Sequence, residues 1–361
     1  MAKNTTKKKE PANGSAGKRN FLLKPVPMFV PLVVVVLLGL FFVSNTAKKS
    51  KVDVSQAVQK AGSEPGLSLI LENDTGLIRP ILLVESSNEE ESLIPTKIKI
   101  ENYIAQKQKD GTLTTASVYL NDLNTVGSVE VNGAELYDPA SIMKVPMMMI
   151  YLKRARRDTD LLNKKILFDK KIESNYEASI RDRTITLGKT YTVKELLYYM
   201  IVYSDNEAFW MLAKDAKYED FTGLCHQLGI PLNGDDKAQA DGKQNFVANV
   251  NSISRFFRVL YNASYLGRRL SEYAMDLLSK SDYHDGIMKG VDANIRVANK
   301  FGERGENGVN QLHDFGIIYI KNNPYLLGVM TKGKDKIQLA GVVSAISKIA
   351  YDDLKQLPAG N

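Results

Sequence analysis

Ser141 and Lys144 stand three residues apart in ASIMKVP, a spacing that puts both side chains on one face of a helix. The stretch around them, SIMKVPMMMIYL, is apolar nearly all round, so that helix is expected to be buried. Burial disfavours the charged form of a lysine. A neutral amine beside a serine hydroxyl can take its proton, which is what a serine nucleophile needs near neutral pH. Asp138 and Pro139 come just before Ser141, so the serine is expected to open the helix, with its backbone N–H facing the site as an oxyanion donor. Pro146 falls in the early turns, where a proline bends the helix slightly. Taken alone the spacing is weak. Ser15-Ala16-Gly17-Lys18 satisfies it too, in a basic tail, and chance supplies such a match about once in a chain this long.

Two further groups follow in order. Ser204-Asp205-Asn206 lies between two helical stretches, VKELLYYMIVY and EAFWMLAK, where each of the three residue types would also serve as a plain helix cap. Lys300-Phe301-Gly302 is expected between a strand and the turn GERGENG, and a single lysine there would ordinarily be an exposed strand-end residue. The order S-x-x-K, S-D-N and K-T-G is the signature of class A β-lactamases and penicillin-binding proteins. The sequence resembles that superfamily, most closely its class A-like branch. LYDPASIMKVP, RTITLGKTYTVKELLYYMIVYSDNEA and HDFGIIY carry the likeness with the motifs, over about residues 79–357.

The resemblance implies that Ser141 is the acyl-accepting nucleophile and Lys144 its proton partner. It implies that Ser204 shuttles a proton to the leaving nitrogen, and that Asn206 holds Lys144 and the substrate amide. Lys300 would supply positive charge near Ser204 and near the substrate carboxylate. The oxyanion hole would be the backbone N–H groups of Ser141 and Glu303, just beyond Gly302. Asp205 is expected to turn inward and hold its loop. No metal or organic cofactor is implied.

Two departures from the family pattern bear on function. Phe301 stands where the family has Thr or Ser, whose hydroxyl binds the substrate carboxylate. A hydrogen bond to a charged group is worth about 1.5–3 kcal/mol, so its loss should weaken or redirect binding without abolishing acylation. The stretch matching the family's deacylation loop, GIPLNGDDKAQADGKQNFVANV, has no glutamate. Asp235, Asp236 and Asp241 are its only carboxylates and read better as turn residues than as a general base. An acyl-enzyme should therefore form and turn over slowly.

The elements that must position these groups can be read from periodicity. A helix is expected from about Lys97 to Lys107, ended by Asp110-Gly111; TTASVYLNDL and GSVEVNG read as strands, the second ending in Asn132-Gly133. Helical patterns run from Ser141 to about Arg157, from Val193 through Lys214, and from Asn251 to about Leu260. DFGIIYI and YLLGVMTKG return to strands before a closing helix through LAGVVSAISKIAYDDL. Strands at both ends with helices between them imply an α+β or three-layer α/β/α fold, and the resemblance implies that it is of the β-lactamase/transpeptidase-like type. Its antiparallel sheet would be formed by N- and C-terminal strands, beside a helical subdomain.

The charge is unevenly placed. Of the 361 residues, the first 51 hold ten Lys and Arg against Glu10 alone; this stretch is +9 and the remainder −2. The body is mildly acidic, so no basic groove for nucleic acid is implied. Between the basic flanks, Pro25–Val43 carries no charge, just enough to span a bilayer as a helix. The positive-inside bias orients the N-terminus to the cytoplasm and the rest outward. Asn45 departs from the small-x-small rule for cleavage after Ala47, which favours an uncleaved anchor over a signal peptide. The expected organisation is a basic tail over 1–24, a transmembrane anchor over 25–45 and a polar tether over 46–78 with one short strand at LSLIL. The hydrolase-like domain follows over 79–361, on the outer side of a bacterial cytoplasmic membrane.

His284-Asp285 and His313-Asp314 read as surface or strand-end pairs, and neither comes with the glycine-framed serine of a hydrolase triad. The three histidines are too scattered for a metal site. Cys225 excludes an internal disulfide and reads as a small core residue. LYYM and Trp210 read as helix core, with Tyr203 placed to line a cleft. The function expected is a membrane-anchored serine hydrolase acylated at Ser141 by a β-lactam or related amide. The rivals are a low-activity DD-peptidase or esterase acting on cell-wall peptides, and a non-catalytic wall-binding module.

Overall fold

The computed structural model describes residues 66–72, 80–171, 183–232, 246–306 and 308–357. LSLIL and ILLVES form an antiparallel pair, β1 (Leu67–Leu71) and β2 (Ile81–Ser86). The strand expected inside the tether is thus paired with the body of the fold, and Lys153 binds Glu72 at 2.7 Å. Helix α1 (Ile94–Lys109) starts three residues before the expected Lys97, because Pro95 sits in its first turn, where its missing N–H costs nothing. β3 (Leu113–Asp122) and β4 (Ser128–Val131) follow as the alternation predicts.

A 3-10 turn (Ala140–Met143) leads into α2 (Lys144–Ala155), which buries almost every side chain. β5 (Lys165–Leu167) and β6 (Thr190–Thr192) make a small ribbon. α3 (Val193–Val202) opens with a capping box of Thr192 and Glu195, reciprocal bonds that satisfy two otherwise orphaned donors. The helical pattern over Val193 through Lys214 is divided at Tyr203–Asp205, where Ser204-Asp205-Asn206 is expected between two helical stretches, and α4 (Asn206–Ala213) begins afresh. α5 (Tyr218–Gln227), α6 (Val250–Tyr261) and α7 (Arg268–Leu278) complete the middle of the chain. β7 (Val297–Glu306), β8 (Val309–Ile318), β9 (Tyr325–Gly333) and α8 (Lys336–Leu354) close it.

The main sheet is antiparallel with strand order β4-β3-β9-β8-β7. Its two faces feed two cores. On one, α1 and α8 cover Val118, Leu120, Leu327 and Val329; on the other, α2, α3 and α6 meet Tyr119, Phe315, Leu326 and Met330. This is the expected three-layer α+β arrangement, with N- and C-terminal strands in one sheet. Lys300 lies inside β7 rather than at a strand end, because the strand runs on to Glu306.

Residues 25–45, the expected transmembrane anchor, lie outside the described residues, as do Asp235, Asp236 and Asp241. Among the described residues no helix is long and apolar enough to cross a membrane.

Candidate active site

The S-x-x-K motif is held by a hydrogen-bonded turn. Asp138 accepts from the backbone N–H of Ala140 at 2.8 Å and pairs with Arg304, while the Ile142 N–H donates to the Pro139 carbonyl at 3.1 Å. Ala140 is left with φ 49°, a left-handed conformation unfavourable for a residue with a Cβ. Ser204, in the second motif, has φ 55°. Strained backbone of this kind costs about 1–3 kcal/mol per residue and persists where surrounding structure enforces it. Here it turns each serine toward the same lysine.

That lysine is Lys144, 3% exposed. Its Nζ lies 3.1 Å from Ser141 Oγ, 3.2 Å from Ser204 Oγ, 2.6 Å from the Ser204 carbonyl and 2.7 Å from Asn206 Oδ1. Across the site, Lys300 Nζ donates to Ser204 Oγ and to the Phe301 carbonyl, both at 2.8 Å. The hydroxyl of Ser204 therefore bridges two ammonium positions. The structure brings Ser141, Lys144, Ser204, Asn206 and Lys300 into one polar chain, although they are spread over 160 residues of sequence.

Gly302 closes the gap between β7 and the turn that carries Ser141. A Cβ there would stand 2.6 Å from the Pro139 carbonyl oxygen and 3.0 Å from the Ile142 nitrogen, so only glycine permits this approach. Glu303, next along, sits beside the turn with its carboxylate 3.6 Å from Lys336 Nζ. The Phe301 ring is not an open surface of the cleft. It is 4% exposed and stacks on Tyr283 with centroids 4.2 Å apart and planes 18° from parallel.

Asp205 turns inward as expected. One oxygen accepts from the N–H groups of Glu207 and Ala208, capping α4; the other accepts from Thr184 Oγ1 at 2.9 Å and the Ile185 N–H at 2.7 Å.

A model of the β-lactamase enzyme family matches residues 96–354. The chain belongs to that family. Solved structures with the same fold include PBP-A, with a TM-score of 0.62 at 18% identity over 75% of this chain and 99% of that one. A class A β-lactamase from Bacteroides cellulosilyticus aligns with a TM-score of 0.62 at 20% identity, over 73% and 99%. A variant of PBP-A solved as an acyl-enzyme complex with penicillin G gives 0.61 at 17%, over 75% and 100%. At such identities the likeness establishes the fold. No curated protein sequence matches the chain.

Two residues of this β-lactamase family member lie in the core where the sequence suggested a surface or a strand end. His313 is fully buried in the middle of β8. The Thr331 N–H donates to its Nδ1 at 3.2 Å, so the ring proton is on Nε2, which donates to the Asp138 carbonyl at 3.0 Å. His313 thereby braces the turn that carries Ser141. Burial drives its pKa down to about 4. Asp314, equally buried, accepts from the Ile287 N–H at 2.9 Å and from Asn299 Nδ2 at 3.1 Å. Burial pushes its carboxyl up to about 6 against those bonds and the nearby Lys300 charge. Both lie inside β8, which begins at Val309, five residues upstream of Asp314, where VNQL shows no strand alternation.

The remaining singled-out residues behave in part as read. Cys225 is buried, and desolvation pushes its thiol up to about 12. Trp210, Tyr198 and Tyr199 are half-buried rather than core. Tyr203 packs edge-on to Tyr198 and Tyr199, and its hydroxyl accepts from Arg183 at 3.3 Å. His284 and Asp285 are exposed, as expected. A cavity of about 450 Å³ between α6, α7 and Tyr319 contains none of the motif residues.

Proposed function

We propose that the protein is a serine hydrolase acylated at Ser141 by β-lactams or related amides. The observation that carries this reading is the environment of Lys144 Nζ. Its neighbours are two oxygens that can only accept, the Ser204 carbonyl and Asn206 Oδ1, and two hydroxyls, Ser141 Oγ at 3.1 Å and Ser204 Oγ at 3.2 Å. A neutral amine that gives its two hydrogens to the carbonyl-type oxygens keeps a lone pair for a hydroxyl proton, that of Ser141 in the acylation step. The step then balances within the site. The Oγ–carbonyl bond forms as the proton passes to Lys144, the amide C–N bond breaks, and Ser204 relays a proton from the lysine to the leaving nitrogen. Lys300 steadies the Ser204 oxygen during that relay. The Ser141 and Glu303 N–H groups serve as the oxyanion donors.

Deacylation is slow in this reading, because the stretch from Gly229 to Val250 holds no glutamate to activate water. The uncharged run over Pro25–Val43, flanked by basic residues, anchors the chain in the cytoplasmic membrane of a bacterium with the catalytic domain outside. The test is intact mass of the full chain in detergent, followed over time with benzylpenicillin beside Ser141→Ala. A long-lived adduct on the wild type alone is expected. Rapid loss of the adduct with consumption of penicillin would replace slow turnover by true β-lactamase action. No adduct and no consumption by folded protein would refute the acylation reading.

A further inference from the structure

Resting on Ser141 as the nucleophile, the geometry points to a narrower class of substrate: acyl donors that are neutral on the leaving-group side, with the Phe301–Tyr283 stack as the element that selects them. An anion bound beside the leaving group would need a positive charge or a free donor near Ser204. The cation at that point is Lys300, and it is wholly buried. Its Nζ donates to Ser204 Oγ and the Phe301 carbonyl, and it sits 4.3 Å from the centroid of the Phe301 ring. The ammonium thus has two acceptors within the protein and an aromatic face over it. Among the described residues the second lysine at Ser204, Lys144, has its Nζ on the Ser204 carbonyl and Asn206 Oδ1.

The cross-strand neighbour strengthens the point. In the β7–β8 register Phe301 is directly opposite Asp314, and opposed residues of an antiparallel pair share one face of the sheet. Behind the ring, where an anion-binding site would place a cation, the chain has a carboxyl. Gly286 packs so closely there that a Cβ would collide with Asp314 Oδ2 and with the Tyr283 ring. The stack is therefore fixed from behind. It cannot swing aside to uncover Lys300 without disturbing the loop that leads to Ile287. A carboxylate brought to the cleft beside Ser204 is kept from Lys300 by this buried stack and loses hydration without reaching the ammonium, whereas an ester, an amide or an alkyl group loses little.

The experiment compares benzylpenicillin with its methyl ester, which share the reacting ring and acyl group and differ in the charge on the leaving-group side. Second-order rate constants for adduct formation are read by intact mass on the full chain, in wild type, Phe301→Thr and Ser141→Ala. In the wild type the ester is expected to acylate at least as fast as the acid. Phe301→Thr, which uncovers Lys300 and adds a hydroxyl, should raise the acid-to-ester ratio by tenfold or more. A wild type that prefers the acid by tenfold or more overturns the inference and leaves the nucleophile reading intact, and this comparison needs no variant to fold. An unchanged ratio in folded Phe301→Thr also overturns it. Adducts from neither compound refute the acylation reading, and the inference with it.

Discussion

Lowering the pH should load the buried His313–Asp314 pair in opposite directions, and replacing one partner should expose the other. His313 holds its pKa near 4 in the folded protein against an ordinary 6.5. Below pH 6.5 the unfolded chain takes up this proton and the folded chain does not. Stability is therefore lost as the pH falls from about 6.5 to about 4. At about 1.4 kcal/mol per pH unit for one proton, the loss reaches about 3 kcal/mol. Asp314 works the other way. Its carboxyl titrates near 6 when folded against an ordinary 3.8, so the folded chain binds the proton first. Stability gained from it grows as the pH falls from about 6 to about 3.8, again by about 3 kcal/mol. In the wild type the two nearly cancel. In Asp314→Asn the His313 loss stands alone, so this variant should lose about 3 kcal/mol more than wild type between pH 7 and pH 4. His313→Gln keeps a donor for the Asp138 carbonyl and removes the titration, so it should lose about 3 kcal/mol less. The assay is urea unfolding of the full chain in detergent at pH 7, 6, 5 and 4, with each variant's curve subtracted from wild type so that other titrating groups drop out. Difference curves flat to within 1 kcal/mol would refute the assignment of a neutral buried histidine opposed by a protonating acid.

Gly302→Ala should cut the rate of Ser141 acylation by more than tenfold, because its Cβ would push the Pro139–Ile142 backbone aside; the same mass-resolved adduct assay reads it, with a melt to show that the protein folds. Lys144→Ala should abolish adduct formation while circular dichroism shows the fold retained; an adduct forming at the wild-type rate would remove Lys144 from the proton path. Asp205→Ala strips the cap from α4 and the partner from the buried Ile185 N–H, and should cost about 2–3 kcal/mol in urea unfolding. A change below 0.5 kcal/mol would mean that water replaces those bonds.

Much of the site was legible because its residues come as short motifs whose spacing survives folding. Ser141 and Lys144 share a helical turn, and Ser204 and Asn206 flank a helix start, so local geometry already fixes half of the arrangement. What stayed hidden depends on pairing across the sheet. Lys300 read as a strand-end residue because KFGERGE looks like turn chemistry, yet pairing with β8 carries the strand through it. His313 read as peripheral for the same reason. Its role depends on the Asp138 carbonyl, 175 residues away in sequence, which no local pattern reveals. Phe301 could be seen to lack a hydroxyl, but not to be stacked on Tyr283, since that contact depends on a loop with no periodic signal. The break at Tyr203–Asp205 is legible from the cap residues Ser204, Asp205 and Asn206 and not from hydropathy, because both flanks are equally apolar.

The strand order β4-β3-β9-β8-β7 also dictates when the protein can become competent. β3 pairs along its length with β9, joining residues 113–122 to residues 325–333, and β7, which faces Ser141, is attached to that pair through β8 alone among the described strands. Contacts so distant in sequence close slowly, because the loop entropy is lost before the pairing compensates it. A nascent chain that already contains Ser141, Lys144 and Ser204 still lacks the strand on which Lys300 and Gly302 are aligned. The hydroxyl and the amine can meet early, across the 3-10 turn and the start of α2, but they face no finished cleft until about nine-tenths of the chain has been made. A partly synthesised or truncated chain ending before β9 is thus expected to carry an inert serine, which keeps the reactive group silent throughout biosynthesis.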